Sequence, residues 1–173
     1  MKVWEQTKED KMKKLIALIF TLFAAGNAFA LGIGPQLDVT PGFGDGETYC
    51  AAGLACSIKM DNQPVVFAVC TDWDFLGNTF DGTLTADWWL FNPALSGTFS
   101  IFGGLGAAFG ASVCEEDAVL TLAPRAVLGT SWILYDGFSE IFIQAAAQPE
   151  ARIGTSTDFA LKVPVNVGTR FYY

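Results

Sequence analysis

The sequence predicts an all-β fold: a closed eight-stranded antiparallel up-and-down barrel, preceded by a cleavable signal peptide. Two observations carry that prediction. Apolar residues recur with a period of two in eight successive segments after residue 30. Upstream of them, residues 13–30 run in the basic, apolar, small-residue order of an export signal. Composition frames both. The 173 residues allow one domain. Only 16% are charged, against about 25% in soluble domains, and mean hydropathy is +0.36. Those values exclude an ordinary cytosolic globule, and 14% aromatic content excludes a disordered chain.

The signal begins at Lys13-Lys14, continues through the apolar run Leu15 to Ala25 and ends in the small-x-small site Ala28-Phe29-Ala30. The run is shorter than the roughly 20 residues of a membrane helix, so cleavage after Ala30 is expected. No cysteine stands at the new terminus, which excludes a lipoprotein signal. Residues 1–11 carry Glu5, Glu9 and Asp10, which suit no signal, so Met12 is the predicted start. Residues 1–30 are thus an upstream extension plus signal peptide, and residues 31–173 the barrel. The mature chain keeps five basic and fifteen acidic residues, a net charge of −10.

The strands follow in order. Residues 30–41 set Leu31, Ile33, Leu37 and Val39 against Gly32, Gly34, Gln36 and Asp38. Residues 48–60 set Ala52, Leu54, Ile58 and Met60 against Tyr49, Gly53, Ser57 and Lys59. In 64–76, Val65, Phe67, Val69, Trp73 and Phe75 oppose Val66, Ala68, Asp72 and Asp74. In 83–91, Leu84, Ala86, Trp88 and Leu90 oppose Thr83, Thr85 and Asp87. The fifth has Phe99, Ile101, Leu105, Ala107 and Phe109 on one face, with Ser100, Gly104, Gly106, Ala108 and Gly110 on the other. The sixth sets Leu120, Leu122, Ala126, Leu128, Trp132 and Leu134 against Thr121, Arg125, Gly129 and Ser131. The seventh sets Ile141, Ile143, Ala145 and Ala147 against Glu140, Gln144, Gln148 and Glu150. The last sets Leu161, Val163, Val165, Val167, Phe171 and Tyr173 against Lys162, Asn166, Gly168 and Arg170. Trp88 to Cys114 holds no charge and is long enough for a membrane helix, but Asn92-Pro93 and five glycines break it.

Turn residues join the strands: 42–46, 61–63, 76–82, Asn92-Pro93, 114–117, Asp136-Gly137 and 154–158. Asp136-Gly137 suits a two-residue type I′ hairpin, whose two central residues both need φ > 0. Paired positions across it sum to 273. Apolar Trp132 then opposes Ile141, Leu128 opposes Ala145, and Arg125 opposes Gln148. Turn and alternation agree, which a one-residue slip would destroy.

The polar faces hold mostly Gly, Ser, Thr, Ala and Gln, too few charges for a soluble exterior. The apolar faces are rich in Leu, Val, Ile and Phe, with Trp and Tyr near strand ends, as in a lipid-facing band with aromatic girdles. The segment Asn166-Val167-Gly168-Thr169-Arg170-Phe171-Tyr172-Tyr173 resembles the C-terminal β-signal read by the outer-membrane assembly machinery, carried by Asn166, Gly168, Phe171 and Tyr173. With these features residues 31–173 resemble, in pattern rather than identity, the small eight-stranded outer-membrane barrels of the OmpX, OmpA-transmembrane and OmpW type. The resemblance implies an integral protein of the bacterial outer membrane with periplasmic termini, whose partners are outer-membrane lipids and the assembly machinery. It implies a structural or surface-interaction role, toward an extracellular or host ligand the sequence does not name. An OmpW-like narrow channel for small apolar solutes is one alternative, and an exported soluble lipocalin-like binder another. The connectors here are shorter than the long extracellular loops of those families, which counts against loop-borne adhesion.

Arg125, Glu140, Gln148, Glu150 and Arg170, with Arg152, Lys162, Asp38, Lys59, Asp72, Asp74 and Asp87, fall on inward positions. They form either a polar pathway or a salt-bridge network filling a lumen too narrow to conduct. Arg125 and Glu150, diagonal neighbours, are expected to pair. The acids Glu115-Glu116-Asp117, with Asp45, Glu47 and Asp81, are expected as a solvated rim, since their spacing is no EF-hand. Asp72 and Asp74 share a face but have no nucleophile beside them. The absence of histidine removes Ser-His-Asp chemistry and His-containing zinc sites. No enzyme activity, cofactor, metal or nucleic-acid partner is expected. Cys50, Cys56, Cys70 and Cys114 allow three full pairings, and rim disulfides or free thiols in the wall are both open.

Overall fold

The computed structural model of the protein describes residues 31–44, 47–60, 63–74, 79–114, 117–154 and 157–172. The signal segment with Ala28 and Ala30, Met12 and Tyr173 lie outside the described residues. Ten strand segments follow one another: β1 (Leu31–Gly44), β2 (Glu47–Met60), β3 (Val65–Asp74), β4 (Thr79–Phe91), β5 (Ala94–Ser96), β6 (Phe99–Cys114), β7 (Asp117–Leu134), β8 (Ser139–Ile153), β9 (Thr157–Lys162) and β10 (Val165–Tyr172). β5 lies beside the start of β6, off the ring. β9 and β10 are one stave in one register, interrupted at Val163-Pro164 because proline has no N–H to donate. Val163 N still donates to Pro41 O at 2.9 Å, and Ala146 N to Pro164 O at 2.9 Å. Eight staves remain, each antiparallel to its neighbours, and the last closes on β1.

Register sets the size of the barrel. From Ile33 the cross-strand partners run Ile58, Phe67, Ala86, Ala107, Pro124, then Pro149 by the β7–β8 register, and Leu161. Leu161 pairs with Phe43 on β1, ten residues beyond the start. Eight staves with that stagger tilt by about 40° and close at a radius of about 8 Å. The interior has room for side chains and little else. Gly32 pairs with Tyr172, so both ends of the described chain lie at one end of the barrel, here the terminal end. The C-terminal ends of β1, β3, β6 and β8 lie at the other, here the hairpin end.

The alternation read from the sequence sets the two faces. On β8, Phe142, Gln144, Ala146, Gln148 and Glu150 are buried, while Ile141, Ile143, Ala145, Ala147 and Pro149 are exposed. Several expected turns are instead strand. Gly42–Gly44 and Phe80–Gly82 continue their ladders. The Asp136-Gly137 hairpin also differs. Its ladder closes at Leu134–Ser139, which leaves four loop residues rather than two. Tyr135, Asp136 and Gly137 all take positive φ, and Phe138 N donates to Tyr135 O at 3.1 Å. Phe138 is drawn toward β10, where its carbonyl accepts from Tyr172 N at 2.9 Å. The register is nonetheless the expected one: Trp132 faces Ile141 and Leu128 faces Ala145.

The β7–β8 ladder breaks between Leu122–Ala151 and Ala126–Ala147. Ile133 N donates to Thr98 O on the β6 side, so even residues of β7 direct their backbone bonds toward β8. Pro124 and Pro149, opposite each other, should therefore exchange two bonds, and neither has an N–H.

Candidate functional site

The site is the filled lumen, which has a floor, a middle and a mouth. At the floor, Glu140 is fully buried and accepts from three groups: Arg170 Nη1 at 3.0 Å, Lys59 Nζ at 3.1 Å and the Tyr172 hydroxyl at 2.5 Å. Arg170 Nε also donates to Ser57 Oγ at 2.9 Å. Ser57, Gly34 and Arg170 occupy one rung, and the glycine between leaves the arginine a free path. The Arg170 guanidinium lies 3.7 Å from the centre of the Phe142 ring. Trp89 and Phe102 stack beside it, 3.8 Å apart and 9° from parallel, with Lys59 Nζ 4.5 Å from the Trp89 ring.

These rings form the apolar cluster Val66, Trp89, Phe102, Val127, Phe142 and Ala146. The sequence reading missed it, because it took the inward faces as polar or small. The signal was present: Trp89, Phe102 and Phe142 stand at inward parity within apolar runs, and glycines face them. A Cβ on Gly129 would strike the Phe102 ring, and one on Gly168 the Phe142 ring.

Higher up, Arg125 Nε donates to Asp87 Oδ1 at 3.0 Å and Nη1 donates to Gln148 Oε1 at 2.6 Å. The expected Arg125–Glu150 pair is therefore replaced. Asp87, Gly106 and Arg125 share a rung, so the arginine reaches across the glycine to a carboxylate two staves away. Glu150 is taken instead by Arg152 Nε at 2.7 Å and Lys162 Nζ at 3.3 Å. Lys162 also faces Asp81 at 3.4 Å, and Arg152 donates to the Tyr49 hydroxyl. Asp81 thus points into the mouth rather than standing on a solvated rim. Asp45, Glu115 and Glu116 lie outside the described residues, and so do the side chains of Glu47, Asp74 and Asp117.

The C-terminal motif has packing duties. Asn166 is buried and donates to Asp38, while Gln144 Nε2 donates to Asn166 Oδ1 at 3.2 Å. Phe171 sets its ring 5.9 Å from that of Phe138. Cys50 and Cys56 are exposed free thiols on the outer wall, and Cys70 is a buried one inside it. The side chain of Cys114 lies outside the described residues. Among the described residues no group of three His, Cys, Asp or Glu could hold a metal ion.

The exterior is the complement of the lumen. Among the described side chains, no Asp, Glu, Lys or Arg stands on an outward strand position. Leu37, Leu54, Val69, Leu84, Leu122, Leu128 and Ile143 are exposed there. Trp88, Phe91, Trp132, Tyr135 and Phe138 ring the terminal end, and Phe43, Trp73, Phe80 and Phe159 the hairpin end. Water would make such a surface prohibitive, whereas lipid makes it the favourable one. Among the described residues no helix is long and apolar enough to cross a membrane.

The fold is that of the small eight-stranded outer-membrane β-barrels. The chain is similar in structure to Neisserial surface protein A, with a TM-score of 0.62 at 6% identity over 83% of this chain and 97% of that one. It also matches Ail of Yersinia pestis, crystallised with the heparin analogue sucrose octasulfate, with a TM-score of 0.49 at 11% identity over 84% of this chain and 99% of that one. The N-terminal barrel domain of Pseudomonas aeruginosa OprF gives 0.42 at 10% identity, over 78% and 96%. No protein-family model and no curated protein sequence matches the chain.

Proposed function

We propose that this protein is an integral component of the bacterial outer membrane, with periplasmic termini and a structural or surface-interaction role without catalysis. A cleaved signal peptide ending at Ala30 exports it. Asn166, Gly168, Phe171 and Tyr173 are read by the assembly machinery, and outer-membrane lipids are its solvent. The carrying observation is the segregation of charge: outward strand positions are uncharged, while the ionic groups meet inside. The filled floor favours this reading over an OmpW-like channel. Arg170, Glu140, Trp89, Phe102 and Phe142 occupy the cross-section that a solute would need. The same segregation disfavours a soluble lipocalin-like binder, whose charges would face water.

Fractionation and planar-bilayer recording test it together. The protein should enter the outer-membrane fraction, shift its gel mobility on heating and leave a lipid bilayer non-conducting. Reproducible conductance abolished by floor substitutions would transfer the assignment to the channel, and recovery in the soluble periplasmic fraction would transfer it to the binder.

A further inference from the structure

Three rungs of the lumen share one device, two polar residues on alternate staves with a glycine between. In Arg125–Gly106–Asp87 and Arg170–Gly34–Ser57 a guanidinium meets an acceptor across the gap. The third is Asp38–Gly53–Asp72, on β1, β2 and β3. A Cβ on Gly106 would strike Asp87 Oδ1, and one on Gly53 would strike Asp72 Oδ1. Asp72 therefore leans over its glycine toward Asp38, as Asp87 leans over Gly106 toward Arg125. Asp87 finds a cation across the gap, whereas Asp72 finds a second carboxylate. Both aspartates line one cavity of about 20 Å³, so they face a common space.

Charge around the pair is otherwise matched. Arg125 holds Asp87, Arg152 holds Glu150, and Lys162 holds Asp81, which stands opposite Asp72 on β4. The other titratable side chains in the cavity wall are Arg125, Lys162 and Cys70. On the same rung β2 and β10 present the neutral Gly53 and Asn166. Asp38 accepts from Thr40 and Asn166, and Gln144 donates to Asn166 in turn. Among the described residues no basic side chain lies within ion-pair distance of Asp38 or Asp72. Asp72 is 8% exposed, and its Oδ1 is buried without a hydrogen-bond partner. Two carboxylates buried in one site cannot both stay ionised, and a shared proton turns their repulsion into a hydrogen bond. We propose that Asp38 and Asp72 hold a single proton between them at neutral pH. It sits on Asp72 Oδ1 and is donated across Gly53 to the Asp38 carboxylate. That bond completes a chain from Gln144 through Asn166 and Asp38 to Asp72. The chain crosses the seam where the last stave closes on β1, and so ties five adjacent staves from β8 to β3.

The proposal is independent of the structural role suggested above, because its readout is the protonation of the refolded barrel. Infrared spectra of the full mature protein in detergent at neutral pH should show a carboxylic-acid carbonyl band that shifts in D₂O. Asp72→Asn should remove it. Asp38→Asn should remove it as well, because the new amide can donate to Asp72 in the proton's place. Stability gives a second reading. The unfolded chain releases the proton above about pH 4 and the folded barrel keeps it, so wild-type stability falls as pH rises. The amide of Asp72→Asn donates as the acid does without taking up a proton. That variant should therefore melt above wild type at about pH 7, and the gap should shrink by about 3–6 °C per pH unit toward about pH 5. A spectrum without the band, or parallel pH profiles for the two proteins, overturns the proposal. So does an Asp72→Asn variant that melts below wild type or fails to refold, because an ionised Asp72 would then be what the barrel needs. A band that survives Asp38→Asn overturns the sharing and leaves the proton on Asp72 alone.

Discussion

Gly168 shows how one residue can hold two roles that sequence pattern alone cannot separate. By pattern it is the glycine of an insertion signal. In the barrel it is the hollow that receives the Phe142 ring, against which the Arg170 guanidinium also lies. Gly168→Ala should therefore destabilise the refolded protein by about 1–3 kcal/mol, the usual cost of overpacking. Phe142→Leu added to it should recover part of that loss, as read by urea unfolding in vesicles, because the new methyl also meets the Pro35 carbonyl oxygen. If the double variant refolds well but still fails to accumulate in the outer membrane of cells, the glycine is also read as a signal. If the single variant unfolds like wild type, the packing role is wrong. The same scale explains the failed Arg125–Glu150 pairing. Diagonal distance along the wall suggested it, but a glycine on the intervening stave opened a path to Asp87 that strand pairing alone does not reveal.

At the scale of the strand, lipid removes the option of solvating an unpaired backbone group. Pro124 and Pro149 break that rule together, since they occupy the rung where each should donate to the other. Converting both to alanine supplies two donors aimed at two carbonyls. Each restored bond is worth about 0.5–1.5 kcal/mol in net terms, and more where no water competes. Loss of proline's restriction of the unfolded chain removes about 0.4–1 kcal/mol per site. The double variant should therefore gain a net of about 1 kcal/mol in vesicles and slow amide exchange in the neighbouring rungs. Unchanged or lowered stability would mean that the carbonyls already have partners. This rung was legible, because 124 and 149 sum to the 273 of the hairpin register. The turn itself was legible only in part. Asp136-Gly137 marked its place, but the pull of Phe138 toward β10 is a tertiary effect, and it lengthened the loop to four residues.

At the scale of the molecule, charge is what the sequence sorted most clearly. Period-two alternation was readable because outward positions such as Leu54, Leu122 and Ile143 alternate with inward Gly53, Thr121 and Gln144. The aromatic floor was not readable the same way. An inward Phe142 between Ile141 and Ile143 looks like a continuous apolar run until closure shows which face it joins. The sorting also fixes how the surface should respond to an added charge. Leu122 is exposed on the outer wall of β7, between the two aromatic rings, and its partner on β6 is Phe109. Thr48 is exposed one residue into β2, at the hairpin end, beside Phe43. In lipid the cost of arginine depends on depth, about 2–4 kcal/mol at the midplane and about 0–1 near the interface. Leu122→Arg should therefore destabilise the vesicle-inserted barrel by the larger amount and Thr48→Arg by the smaller. In detergent that gap should shrink, because a micelle adapts to a buried charge more readily than a bilayer of fixed thickness. Equal costs at both positions in vesicles would show that Leu122 does not face hydrocarbon, and the charge-free wall would then need a protein partner rather than a membrane to cover it.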